Sequence, residues 1–177
     1  MTILVPQPPP PTRDDFLAAM AKVASPVALI TTGTLQSPVG LTATATCSLS
    51  ADPPSVLICI NKSASTHDEL LRHQTFAVNF LLADQGDVAA RFARKDVDRF
   101  AGETWTAMAT GAPVLQSAGV ALDCRLHAAI DAFSHSILIG TVISILTDDG
   151  EQNPSLVWHQ RRFCRTCLLY TSPSPRD

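Results

Sequence analysis

Two neighbouring stretches constrain this chain more than any others. In Gly40-Leu41-Thr42-Ala43-Thr44-Ala45-Thr46-Cys47-Ser48, hydroxyl side chains recur at every second position and alternate with Leu41, Ala43, Ala45 and Cys47. A period of two belongs to an extended strand, whose successive side chains point to opposite faces, so one face here is a row of hydroxyls. After the turn residues Ala51-Asp52-Pro53-Pro54 comes Ser55-Val56-Leu57-Ile58-Cys59-Ile60, an apolar run too short to span a bilayer and suited to a buried strand. Ala43 and Ala45 leave open the space that Val, Ile or Leu fill in an ordinary core strand, so something flat can lie against this sheet.

The apolar run ends at Asn61-Lys62-Ser63-Ala64-Ser65-Thr66, and a helical pattern follows over residues 67–72. Thr66 and Glu69 have the spacing of a capping box, which predicts a helix starting here with unpaired amides facing the loop. A helix N-terminus beside a lysine and several hydroxyls suits an anion, most simply a phosphate. The plainer reading, in which Ser65 and Thr66 only cap the helix and Lys62 is solvated, stays open on the loop alone. The hydroxyl-lined strand just upstream favours a site.

At 177 residues and 46% hydrophobic, the chain has enough material for one domain with a real core and is short for two. A formal charge of -3 and a pI near 5.9, with no basic run beyond Arg161-Arg162, argue against a nucleic-acid surface. Five cysteines is an odd number, and most sit inside apolar strand patterns, which fits a reducing cytoplasm. Cys164-Arg165-Thr166-Cys167 has the spacing of a metal or redox pair, but with no second pair it reads as chance, and no metal is expected. With no signal-peptide pattern and no apolar stretch long enough to cross a bilayer, the expectation is a cytoplasmic protein without membrane contact.

In chain order, residues 1–12 form a proline-rich, extended and disordered arm, and residues 13–165 the domain. Thr12 caps a helix with Phe16, Met20 and Val23 toward the core; residues 27–32 form a strand, and Gly33 to Pro38 a hairpin turn. A strand over residues 75–81 precedes a helix that begins at Asp84 and turns Arg91 and Arg94 to solvent. Residues 95–110 form a loop or short helix carrying Trp105, long enough to be a lid. Residues 120–131 alternate as a strand with one wet face. Residues 136–146 are apolar in both registers, which demands a second layer, either a packed helix or another subunit. Asp148-Asp149-Gly150 reads as a turn and residues 156–163 as the last strand. Residues 166–177 have no place in the pattern and read as an unstructured, non-native tail, or an ordinary disordered one.

The series Gly40 to Ala45, Cys47-Ser48, Pro53-Pro54-Ser55, Cys59-Ile60-Asn61 and Ser65 resembles the flavin reductase-like family. So do Phe76-Ala77-Val78-Asn79, Phe92-Ala93, Arg99-Phe100, Pro113-Val114-Leu115, Ser134-His135-Ser136 and Arg161-Arg162-Phe163. The resemblance, in particular to reductase components of two-component aromatic hydroxylases, runs from about residue 16 to 163. It implies a mainly β fold, a split β-barrel of the FMN-binding type with a few flanking helices, and a homodimer with flavin near the subunit boundary. By that resemblance Thr42, Thr44, Ala45, Thr46, Cys47 and Ser48 line the flavin. Asn61, Lys62, Ser63, Ser65 and Thr66 hold its ribityl end and phosphate, with Lys62 and Ser65 the most direct contacts. Arg99 either forms a salt bridge or reaches the phosphate from the lid side.

His135 stands where the family has a histidine beside the nicotinamide, and is the expected catalytic residue. Phe133 and Ser134 precede it in place of the usual Gly-Asp or Gly-Thr, a departure that bears on local backbone shape. Cys164 replaces the histidine usual after Phe163, while His67, His73, His127 and His159 read as structural or exposed. The implied activity is an NAD(P)H-dependent flavin reductase that moves hydride from NADH or NADPH to FMN or FAD and supplies reduced flavin, by diffusion, to a separate monooxygenase. The alternatives are a split-barrel protein with tightly held FMN acting on a small organic molecule, and a non-enzymatic flavin-binding module. No hydrolase, metalloprotease or nucleotide-loop motif competes, and in flavin chemistry the cofactor carries the reaction while the protein places it.

Overall fold

A computed structural model of the chain describes residues 9–148 and 153–167. Its elements are α1 (Arg13–Met20), β1 (Ser25–Pro26), β2 (Ala28–Gly33), β3 (Pro38–Ala43), β4 (Thr46–Ala51), β5 (Pro54–Asn61), α2 (Ser65–His73), β6 (Thr75–Phe80) and α3 (Gly86–Ala93), followed by β7 (Trp105–Ala107), β8 (Pro113–Leu115), β9 (Val120–Ala132), β10 (His135–Thr147), β11 (Leu156–His159) and β12 (Arg162–Arg165). Seven strands form one antiparallel sheet in the order β3-β2-β6-β9-β10-β5-β4. Two small sheets, β1-β11-β12 and β7-β8, flank it.

The edge strands β3 and β4 are consecutive in the chain, with only Thr44 and Ala45 between them. Laid flat, the sheet's edges would stand about 28 Å apart, whereas the three peptide units from Ala43 to Thr46 reach at most about 11 Å. The sheet must therefore curl until its edges meet. Because β3 and β4 do not pair with each other, the seam stays open and the barrel is split. The single hydroxyl-faced strand read over residues 41–48 is thus two strands on opposite edges. The chain leaves one ladder at Thr44 and joins another at Thr46, opposite Ile58.

Alternation decides what fills the barrel. Ala28 and Ile30 of β2, Phe76 and Val78 of β6, Cys124 of β9, Leu138 of β10 and Val56, Ile58 and Ile60 of β5 point inward, and Leu70 of α2 packs among them. Gly140 makes room for this core, since a Cβ there would lie 2.4 Å from Phe76 Cζ. The opposite faces of β2, β6 and β9 form a second core with α3 and β8, through Leu29, Ala77, Ala121, Phe92, Ala89 and Val114. β2 is consequently buried along its whole length.

The expected core-facing side of α1 needs correction, and the second layer expected over β10 is not a helix among the described residues. α1 forms with Thr12 as its cap, but none of its residues is buried, and Phe16, Met20 and Val23 are exposed. On β10, Leu138 and Gly140 face the barrel, while Ile137 and Ile139 are half-buried and Ile143 and Ile145 are exposed on the outer side. No helix among the described residues covers that outer face.

Smaller differences concern boundaries. α3 starts at Gly86 with Gln85 before it, and Arg91 turns inward to an ion pair with Glu103 at 3.0 Å instead of facing solvent. Trp105 belongs to a short strand, not a loop. Thr166 is placed as well, its amide donating to Ser155 O at 3.1 Å and its Oγ1 accepting from the Ser155 amide at 2.9 Å. Most of the proline-rich arm and the tail from residue 168, together with the turn at Asp149-Gly150, lie outside the described residues. No helix among the described residues is long and apolar enough to cross a membrane.

Candidate functional site

A cleft of about 910 Å³ opens at the barrel seam, near the upper end of the ~300–1,000 Å³ usual for small-molecule sites. β3 and the Thr44-Ala45 crossing form one wall; the end of β5 with the loop into α2 forms the base; residues 95–100 form the facing wall, and His135 also lines it. Of the residues expected here, Thr42, Thr44, Ala45, Asn61, Ser63, Ser65, Thr66, Arg99 and His135 line the cleft. Thr46, Cys47, Ser48 and Lys62 do not, the first three because they lie beyond the crossing on β4. Thr42 lines the cleft, but its hydroxyl donates to Ala89 O of α3 at 2.6 Å, so it is held by the scaffold.

The start of α2 differs from the capping-box expectation. Ala64 is the N-cap and supplies no side-chain acceptor, and Thr66 is the second helical residue. Glu69 turns instead to Arg72 and His73, and its hydrogen bond to Arg72 holds its carboxyl below the usual range. Asn61 Oδ1 accepts from the Ser63 amide at 2.9 Å and from Ser63 Oγ at 2.8 Å, which folds the loop ahead of the helix. Thr66 is fully buried, and its hydroxyl has no hydrogen-bond partner. Leaving such a group unsatisfied costs about 1–3 kcal/mol, and buried polar groups are seldom left so. A helix end with no side-chain cap, facing a cleft, suits the oxygens of an anion; the hydroxyl of Thr46, outside the cleft lining, is buried and unpartnered as well. One residue on, His67 is buried and hydrogen-bonded to Ser136 Oγ at 2.9 Å, fixing α2 to the start of β10.

Lys62 points away from that helix end. β5 pairs with β10 so that Asn61 lies opposite His135, which sets the next residue against the β9–β10 turn. Lys62 Nζ donates to Asp131 Oδ2 and to Phe133 O, both at 2.7 Å, and its amide donates to Ser134 O at 3.0 Å. His135, half-buried, has Nδ1 3.0 Å from Ser134 Oγ. Phe133 has φ +56, so the backbone takes the left-handed shape that glycine adopts freely, with a phenyl side chain in its place.

Arg99 lines the cleft and has no ion pair among the described residues; its guanidinium bonds to carbonyl oxygens. Nη1 donates to Gly40 O at 2.6 Å, and Nε and Nη2 donate to Arg94 O at 3.0 and 2.7 Å, which ties the facing wall to β3. Behind that wall Phe92, Phe100 and Trp105 pack with centroid separations of 4.7 to 5.7 Å, and Trp105 Nε1 donates to Phe100 O at 3.0 Å. Lys95, Val97, Asp98 and Phe100 were missed as lining residues; the length of the 95–110 segment was their only signal. Cys59 also lines the cleft, and burial, followed by the neighbouring Cys47, pushes its thiol upward. Burial, helped by Asp123, pushes Cys124 up to about 12. Both stay protonated and unreactive at neutral pH.

This lining offers small side chains, hydroxyls and helix amides, a surface that holds and orients a reagent and leaves hydride chemistry to a bound group. A split antiparallel barrel with such a cleft at its seam is the architecture expected of a flavin reductase, though the fold alone does not fix the activity. Residues 20–166 match the family described as flavin reductase like domain, and the chain belongs to that family. It is 41% identical over 150 residues to an FMN reductase (NADH), RutF, of Pseudomonas syringae pv. syringae, covering 84% of this chain and 83% of that one. Among solved structures, nitrilotriacetate monooxygenase component B from Mycobacterium thermoresistibile superposes with a TM-score of 0.87 at 25% identity, covering 93% and 92% of the two chains. An NADH:FAD oxidoreductase of Streptomyces globisporus, solved with NAD and FAD fragments, gives a TM-score of 0.80 at 31% identity, covering 88% and 93%. The expected split barrel and the expected enzyme class both stand.

Proposed function

We propose that this chain passes hydride from NADH or NADPH to FMN or FAD held in the seam cleft, and releases reduced flavin to a separate monooxygenase. The observation that carries the placement is the buried, unpartnered Thr66 hydroxyl at the uncapped start of α2. A flavin phosphate there receives the first amides of α2 and the Thr66 and Ser65 hydroxyls, with the helix dipole favouring its charge. Thr44 and Ala45 lie along the ring, where their small side chains let a flat heterocycle approach, and Asn61 and Ser63 border the ribityl chain. His135 borders the nicotinamide. The bound flavin ring supplies the hydride acceptor; the protein's share is to fix the two rings face to face and keep water from between them.

A second copy of the chain covers the outer face of β10, where Ile143 and Ile145 are exposed. Such a pair joins two apolar faces that this subunit leaves uncovered.

FMN and riboflavin, which differ by the phosphate alone, separate the socket from the ring site. Thr66→Val should weaken FMN binding by about tenfold, the loss of one hydrogen bond to a charged group, and leave riboflavin binding within about twofold. Equal losses for both ligands, measured by quenching of flavin fluorescence, would refute this placement of the phosphate.

A further inference from the structure

The β9–β10 turn is built against the preference of its own sequence. A two-residue connection between antiparallel strands favours glycine where its first central residue takes a positive φ. Here that residue is Phe133, with φ +56 and a relative exposure of 99%. A side chain disfavours that backbone region by roughly five- to thirtyfold, and a ring wholly in solvent contributes no packing to offset it. The compensation is visible on the backbone. Lys62 holds both turn residues and one strand residue before them: Nζ donates to Phe133 O and to Asp131 Oδ2, and its own amide donates to Ser134 O. The next residue is His135, which lines the cleft and whose ring nitrogen lies within hydrogen-bond distance of Ser134 Oγ.

We infer that Lys62 is a positioning residue for His135: it clamps the left-handed turn at Phe133 and so sets the histidine at the nicotinamide side of the cleft, instead of binding the flavin phosphate. This rests on the reading of the cleft given above. The clamp also joins the two halves of the site. The loop that carries Lys62 runs directly into α2, so its side chain adds a link between the start of that helix and the turn before His135.

Four proteins test it: wild type, Lys62→Met, Phe133→Gly and the double variant, each measured for flavin Kd, for NADH KM at saturating flavin, and for amide exchange at Ser134 and His135 in the flavin-free protein. Removing the lysine where Phe133 is present should raise NADH KM about fivefold or more, speed exchange at both amides by a similar factor, and change flavin Kd less than about threefold. Where glycine occupies position 133, the same removal should change NADH KM and exchange by less than about twofold, because glycine holds the left-handed shape unaided. Asp131→Asn should shift NADH KM and exchange in the same direction as Lys62→Met, by less.

A tenfold rise in flavin Kd on losing Lys62, equal whether Phe or Gly stands at 133, would overturn the inference and restore the lysine to the phosphate. Tighter flavin binding in Asp131→Asn, from a lysine released toward the socket, would do the same. A wild-type chain that bound no flavin would sink the reading of the cleft, while exchange in the ligand-free protein would still decide the clamp.

Discussion

Arg99 places its guanidinium on two carbonyl oxygens, of Gly40 and Arg94, and so braces the wall that closes the cleft opposite β3. Hydrogen bonds from a charged donor contribute about 1.5–3 kcal/mol when shielded, and Arg99 is half-exposed, so the lower part of that range applies. Arg99→Met should therefore lower the thermal midpoint by about 2–6 °C and raise flavin Kd a few-fold by loosening residues 94–100. An unchanged midpoint and Kd would show that the wall stands without it. At this scale the sequence was a better guide to which residues line the cleft than to what they touch. Thr66 was legible as a helix-start hydroxyl, but its burial without a partner was not, because that depends on Ala64 taking the cap. Lys62 was legible as a cation beside a phosphate socket; the carboxylate and carbonyl that capture it come from a hairpin roughly seventy residues away.

Among the elements, alternation and apolar content located most strands, including the long β9–β10 pair, because half-buried strands carry their period in the side chains. They could not show that the hydroxyl-rich stretch breaks at Thr44. A strand that changes sheet edge keeps its alternation through the corner, and only the closure of the whole sheet demands the break. The same limit explains Thr46, Cys47 and Ser48, which share the pattern of Thr42 and Thr44 and end up on the other edge, away from the cleft. α1 fails differently. Thr12 caps it as expected, exchanging hydrogen bonds with Asp15, yet its apolar residues are not buried among the described residues.

For the whole molecule, the uncovered side of β10 is the strongest sign of a second subunit. A sheet buried on one face needs polar residues on the other, and Ile143 and Ile145 instead stand exposed toward the end of β10. Replacing both Ile143 and Ile145 by Glu should convert a dimer to a monomer in analytical ultracentrifugation, since two buried charges per subunit outweigh the contact; a wild type that sediments as a monomer would remove the dimer. The barrel itself was readable only through resemblance, because closure joins residues far apart in sequence, and no local pattern records that two edge strands meet.

Turnover against free flavin tests the central claim most directly. NADH oxidation by the purified chain should rise with added FMN and saturate, with reduced flavin accumulating in solution in the absence of oxygen. A yellow protein whose NADH oxidation ignores added flavin, or one that binds flavin and oxidises no NADH at all, would contradict the account.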